Sequence, residues 1–239
     1  MATKTVELQK FDNYHFIMAG WITFSEVIKK LKKAMPFYRF EQVPKIKIKE
    51  VFYDNEHHML FDAGIVLSKS STSKDTYFNI RRLSRVFNKK TKKYQIGGNC
   101  TPSDHPKDYA PKIAKAIDDL FSSSLTIDIE NIVKKTSEIM EVHNDKTPYD
   151  IIGGTGFRAK LVCEKVLYKD VASGKKVYQD CISLSVPSSE REETEELLKL
   201  IERTLPSLVL FNASRFELAQ KLLYTPEQEL KLDEETEEN

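Results

Sequence analysis

The chain has 239 residues, 40% of them hydrophobic and 31% charged, which is the balance of an ordinary globular protein long enough to bury a sizeable core. Basic residues number 37 and acidic residues 36, for a formal charge of +1, and this near-neutrality excludes a general electrostatic binder of nucleic acid or membranes. The three cysteines, Cys100, Cys163 and Cys181, have no C-x-x-C spacing and indicate neither a zinc site nor a disulfide framework. Cys163 and Cys181 fall in apolar strand patterns and read as buried thiols. The opening MATKTVELQK has no apolar run of signal-peptide length, and no segment approaches a membrane span, so a cytoplasmic protein is expected.

Residues 4–11 (KTVELQKF) alternate and predict a first strand. Thr23 and Glu26 then form a capping box that opens a helix. Phe24, Val27, Ile28 and Leu31 lie on one face of it, and Lys29, Lys30, Lys32 and Lys33 lie mostly on the other. Residues 43–53 alternate, with Ile46 and Ile48 facing one way and Lys45, Lys47 and Lys49 the other. After a turn at Asp54-Asn55, residues 59–69 and 75–87 read as strands joined by a Ser/Thr-rich turn, and a basic turn from Asn88 to Lys93 leads into 94–97. These short connections make an antiparallel meander.

Helices follow at 107–121 and 128–141. Strands 157–169 and 175–186 then form a hairpin about Ser173-Gly174. Ser189 and Glu192 read as a second capping box, opening a helix with Leu197, Leu198, Ile201 and Leu205, and a last helix spans 213–223. The acidic stretch 227–239 reads as a disordered tail. Hairpins rather than βαβ units argue against a parallel sheet. The expectation is an α+β chain: one domain over 1–226, with an antiparallel β-barrel flanked by helices.

The usual catalytic motifs are missing, so no catalytic residue is assigned. His57 and His58 are neighbours, cannot easily share a metal from a strand, and read as a polar turn. Gly153-Gly154-Thr155-Gly156 lacks the Lys-Ser/Thr and the helix of a phosphate loop. The basic strand faces carry more information. Lys45, Lys47 and Lys49 make a stripe, Arg81 shares a face with Asn79, and Lys165 shares one with Cys163. Turned into a barrel, such cations would hold a polyanion; turned outward, they would simply face water.

Four segments resemble the CYTH superfamily, the triphosphate tunnel enzymes. The first strand ends in Lys10-Phe11, where the family has E-x-E-x-K-F. The stretch from Val51-Phe52-Tyr53-Asp54-Asn55 to Ala63-Gly64-Ile65-Val66-Leu67 is similar to the family's tyrosine- and aspartate-marked hairpin. Val186-Pro187 with the acidic helix after it, and Ala213-Ser214-Arg215-Phe216-Glu217-Leu218, resemble two later segments. The resemblance implies an eight-stranded antiparallel tunnel whose basic residues hold a triphosphate and whose glutamates hold Mg or Mn. Carried over by position, the basic sites fall on Lys10, Arg81, Lys165 and Arg215, and Lys47 joins them from the lysine stripe. The family's paired arginines fall on Ser68 and Ser70. Its first glutamates fall on Val6 and Leu8 (a one-residue slip would bring in Glu7 and Gln9), and its late glutamates fall on Ser183 and Ser185.

Cations survive where the metal carboxylates do not. The resemblance therefore implies a protein that holds a small anionic ligand, such as a triphosphate or nucleotide, without efficient metal-dependent hydrolysis. Mg or Mn enters only if the chain is catalytic. Two alternatives stand beside this. One is an active triphosphatase or nucleotidyl cyclase using rearranged carboxylates among Glu7, Glu50, Asp62 and Glu164. The other is a non-catalytic interaction protein using the lysine-rich helix face and the acidic tail. The residues lining the interior of the sheet discriminate between them.

Overall fold

The computed structural model describes residues 11–83, 93–97, 100–121, 127–154, 156–211 and 215–224. In chain order they form β1 (Phe11–Met18), α1 (Phe24–Ala34), β2 (Tyr38–Gln42), β3 (Ile46–Asp54), α2 (Met59–Asp62), β4 (Ile65–Ser71), β5 (Thr76–Arg82) and β6 (Lys93–Ile96). There follow a 3-10 turn at Pro106–Tyr109, α3 (Ala110–Phe121), α4 (Ile129–Lys134), β7 (Ser137–Gly153), β8 (Arg158–Asp170), β9 (Lys176–Pro187), α5 (Arg191–Thr204), β10 (Leu208–Leu210) and α6 (Arg215–Tyr224). This is an α+β fold with a large antiparallel sheet and flanking helices. The chain divides into two compact units: Met1–Ile46 with Asp145–Lys165 and Gln179–Asn212, and Lys47–Asn144 with Val166–Tyr178 and Ala213–Asn239.

In the first unit the strand order is β10–β1–β9–β8–β7, with β2 on β7. The β1–β9 register sets Tyr14 opposite Leu184 and Phe16 opposite Ile182 on one face, and Asn13 opposite Ser185 and His15 opposite Ser183 on the other. The apolar face, with Leu161 and Cys163 of β8, packs on Val27, Ile28 and Leu31 of α1 and Leu197 and Ile201 of α5. Each such buried aliphatic side chain contributes about 1.5–3 kcal/mol relative to exposure. The predicted capping box is present: the Thr23 hydroxyl accepts from Glu26 N–H while the Glu26 carboxylate accepts from Thr23 N–H.

In the second unit the order is β7–β3–β4–β5–β6. Val51, Tyr53, Leu67, Phe78 and Ile80 pack on Ile113 and Ile117 of α3 and Ile132 and Val133 of α4. Period two then turns Glu50, Ser68, Ser70, Asn79 and Arg81 to the opposite face.

Several elements differ from the sequence reading. The predicted strand 4–11 lies outside the described residues except for Phe11, and β1 runs on through Met18. The strand predicted from 59 begins as the short helix α2. The buried Asp54 carboxylate gathers the N–H groups of Asn55, Leu60 and Phe61 there, and His58 turns the chain at φ 52°. The helix predicted over 128–141 stops at Lys134, and Ile139 and Met140 belong to β7, whose strand neighbours satisfy its backbone. The Ser189–Glu192 box does not form; α5 starts after Glu190 without a side-chain cap. The hairpin of β8 and β9 turns where predicted, with Gly174 at φ +71°. The tail 227–239 lies outside the described residues. Among those described, no helix is long and apolar enough to cross a membrane.

Candidate functional site

The polar face of the second unit is a row of hydrogen bonds across four strands. The Ser68 hydroxyl donates to Glu50 Oε1 at 2.7 Å, and Arg81 Nη2 donates to the same oxygen at 2.8 Å. Beside them, Asn79 Nδ2 donates to Ser70 Oγ at 2.7 Å while Asn79 Oδ1 accepts from Gln95 at 3.1 Å. Strand register places every member. Ser68 faces Asn79 across β4–β5, and Glu50 faces Ser70 across β3–β4. Arg81 has more donors than Glu50 takes up. Its Nε is buried and has no hydrogen-bond partner among the described residues.

The first unit has a second polar row. Ser183 Oγ donates to Glu164 Oε1 at 2.5 Å, and His15 Nδ1 lies 2.8 Å from the same hydroxyl. Lys146 Nζ stands 3.6 Å from Glu164 Oε2. Glu164 is 1% exposed, so its carboxylate is held by these partners rather than by bulk water. A hydroxyl has one proton, and Ser183 gives it to Glu164. The bond from His15 therefore runs from Nδ1–H to the serine oxygen, which fixes the imidazole tautomer. Ser185 Oγ continues the row by donating to Asn13 Oδ1 at 2.5 Å.

The predicted site residues are distributed unevenly. Arg81 lies on the polar face, joined by Ser68 and Ser70 where the resemblance placed arginines. Lys165 is exposed and alternates away from Glu164, and Lys47 is also exposed. Lys49 of the same stripe pairs with Glu141 at 3.2 Å. Lys10 and the side chain of Arg215 lie outside what is described. Cys163 is buried, and burial with the nearby Glu164 charge pushes its thiol up to about 12; Cys181 is only half-buried. His15 and Lys146 were missed. The signal for His15 was the alternation of Tyr14, Phe16 and Met18 against Asn13 and His15.

Among the described residues, Glu50 and Glu164 do not fit a Mg or Mn centre, and Glu7 lies outside what is described. Glu50 already faces a hydroxyl proton and a guanidinium, and Glu164 a hydroxyl proton and an ammonium; a cation beside the ligand opposes a second one. Asp62 lines a separate cavity of about 620 Å³ in the second unit, with Glu138 and Asp170. Glu138 there accepts from Tyr53. Burial tends to raise the Asp170 carboxyl, but hydrogen bonds from Ser173 and Tyr224 hold it below its ordinary value.

No protein-family model matches the sequence, and no curated protein matches it. Solved structures do. A candidate adenylyl cyclase of Hippeastrum, described for a dominant triphosphatase activity, superposes with a TM-score of 0.52 at 10% identity, covering 90% of this chain and 97% of its own. A candidate adenylate cyclase of Bacillus halodurans gives 0.51 at 9% identity, covering 92% and 98%. The chain has the CYTH-type fold. At this identity the likeness concerns the fold alone. Serines stand at Ser68, Ser70, Ser183 and Ser185, where the resemblance placed arginines and glutamates.

Proposed function

We propose that this CYTH-type chain binds a phosphate-rich or other anionic ligand on the polar sheet face around Arg81, and that it does not hydrolyse it efficiently by a metal mechanism. The reading includes closure of the antiparallel sheet into an eight-stranded tunnel. The observation that carries it is the buried, unpartnered Arg81 Nε–H beside Ser68, Ser70 and Asn79. A buried donor without a partner costs about 1–3 kcal/mol, and a phosphate oxygen is the acceptor that suits a guanidinium edge. Thermal-shift and calorimetric titration with tripolyphosphate and ATP, with and without Mg, tests this. The expected result is stabilisation by tripolyphosphate that Arg81→Lys weakens at least tenfold, because lysine has no second N–H edge. No shift at millimolar ligand would sink the reading. Phosphate release that requires Mg and survives in Arg81→Lys would favour an active hydrolase instead.

A further inference from the structure

We propose that Glu50 sets the selectivity of the Arg81 site by standing in for the ligand: its carboxylate holds the guanidinium until a phosphoryl group displaces it. This rests on the anion-binding reading of that site and narrows it to one class of anion. Glu50 is a buried residue in the middle of β3, and Ser68 Oγ and Arg81 Nη2 both donate to its Oε1, at 2.7 and 2.8 Å. A carboxylate oxygen on a guanidinium makes the contact that a phosphate oxygen would make there. Nε and Nη2 form the side edge of the guanidinium, the fork that an oxyanion grips with two oxygens. Glu50 takes one tine, Nη2. It leaves the other, Nε, buried and without a partner among the described residues.

Access and charge both tie the ligand to this carboxylate. Arg81 Nε is closed off from solvent, so an anion seats on both tines only when a neighbouring side chain moves. Glu50 is the neighbour with the same charge as the ligand, and repulsion makes it the one to leave. Its hydrogen bond from Ser68 does not depend on Arg81, so the displaced carboxylate keeps a partner. The exchange favours an anion only if it offers the guanidinium more than Glu50 does. A ligand carboxylate offers the same group, and its gain at Nε is offset by the Nη2 contact it breaks and by the Glu50 charge beside it. A phosphoryl group brings three oxygens and up to a second charge, enough to fill Nε and Nη2 together. A further oxygen is left for Ser70, which lies opposite Glu50 across β3–β4, accepts from Asn79 and has its own proton to donate. Selectivity is a difference of affinities, so Glu50 screens out carboxylates while only weakening phosphoryl ligands.

Calorimetric titration of the full chain with tripolyphosphate and with citrate tests this. The wild type should bind tripolyphosphate but not citrate at millimolar concentration. Glu50→Gln keeps an amide oxygen for Ser68 and Arg81 and removes the charge. Tripolyphosphate should then bind at least tenfold more tightly, and citrate binding should appear. Glu50→Asp keeps the charge but is one methylene shorter in its reach to Nη2. It should tighten tripolyphosphate by a smaller factor, and it decides the matter if the glutamine variant does not fold. A tripolyphosphate affinity no higher than wild type in Glu50→Gln, or in Glu50→Asp where that one decides, would overturn the proposal. So would a wild type that binds citrate as tightly as tripolyphosphate. If Arg81→Lys weakens tripolyphosphate while the Glu50 variants do not tighten it, the Arg81 site stands and only the role of Glu50 falls. No binding by the wild type or any variant would overturn both.

Discussion

The two polar rows use the same parts in different proportions. In each, a serine hydroxyl donates to a carboxylate that also faces a cation: Ser68, Glu50 and Arg81 in the second unit, and Ser183, Glu164 and Lys146 in the first. The cation contact is a hydrogen-bonded pair at 2.8 Å in one and a looser approach at 3.6 Å in the other. The Glu50 side chain is 11% exposed against 1% for Glu164. The second unit thus keeps a tight pair at an accessible place with a donor to spare. The first buries its carboxylate more deeply and relies on Ser183 and Lys146 to hold it. Burial raises what is lost when a partner goes, whereas access makes a ligand possible.

The largest expected effect follows from that contrast. Glu164→Ala leaves the buried Ser183 hydroxyl and the part-exposed Lys146 ammonium without their acceptor and should cost about 2–3 kcal/mol in urea unfolding, more than Glu50→Ala. Equal losses would break the comparison. Next, Arg81→Ala should cost about 1.5–3 kcal/mol by removing a charged hydrogen bond, and Lys146→Ala less than about 1 kcal/mol, since its contact is long and its side chain part-exposed. Between these two, Ser183→Ala and Ser68→Ala should each cost about 1–2 kcal/mol, with the Ser183 change the larger of the two. The smallest effect is a spectroscopic one. The Glu164 charge adds to burial in raising the Cys163 thiol, so Glu164→Gln should shift the pH profile of Cys163 alkylation downward from about 12. An unmoved profile would show that the Glu164 charge does not act on the thiol.

The sequence carried much of the fold because local rules write themselves into it. The Thr23–Glu26 box, the turn at Gly174 and the antiparallel hairpins were readable from residue type and spacing. The sequence reading failed where distant groups decide. Asp54 reaches along the chain to cap Leu60 and Phe61, converting a strand pattern into α2. Residues 137–153 have a mixed pattern and become a strand because strands on either side pair with it. The polar site was half legible: Arg81 and Asn79 share a face by period two, and Glu50 and Glu164 stood out as carboxylates. His15 and Lys146 did not, because a lone polar residue in a strand shows its meaning only through what faces it.

By itself the sequence determined the α+β class, the antiparallel pairing and the substitution of serine at the positions the family resemblance marks for metal and phosphate groups. Those follow from periodicity, short connections and residue identity, all local properties of the chain. Only the tertiary structure decided that the surviving carboxylates are already engaged. It joins Ser183 to Glu164 and Glu50 to Arg81 across strands, and a hydrogen bond depends on where atoms meet rather than on their order along the chain.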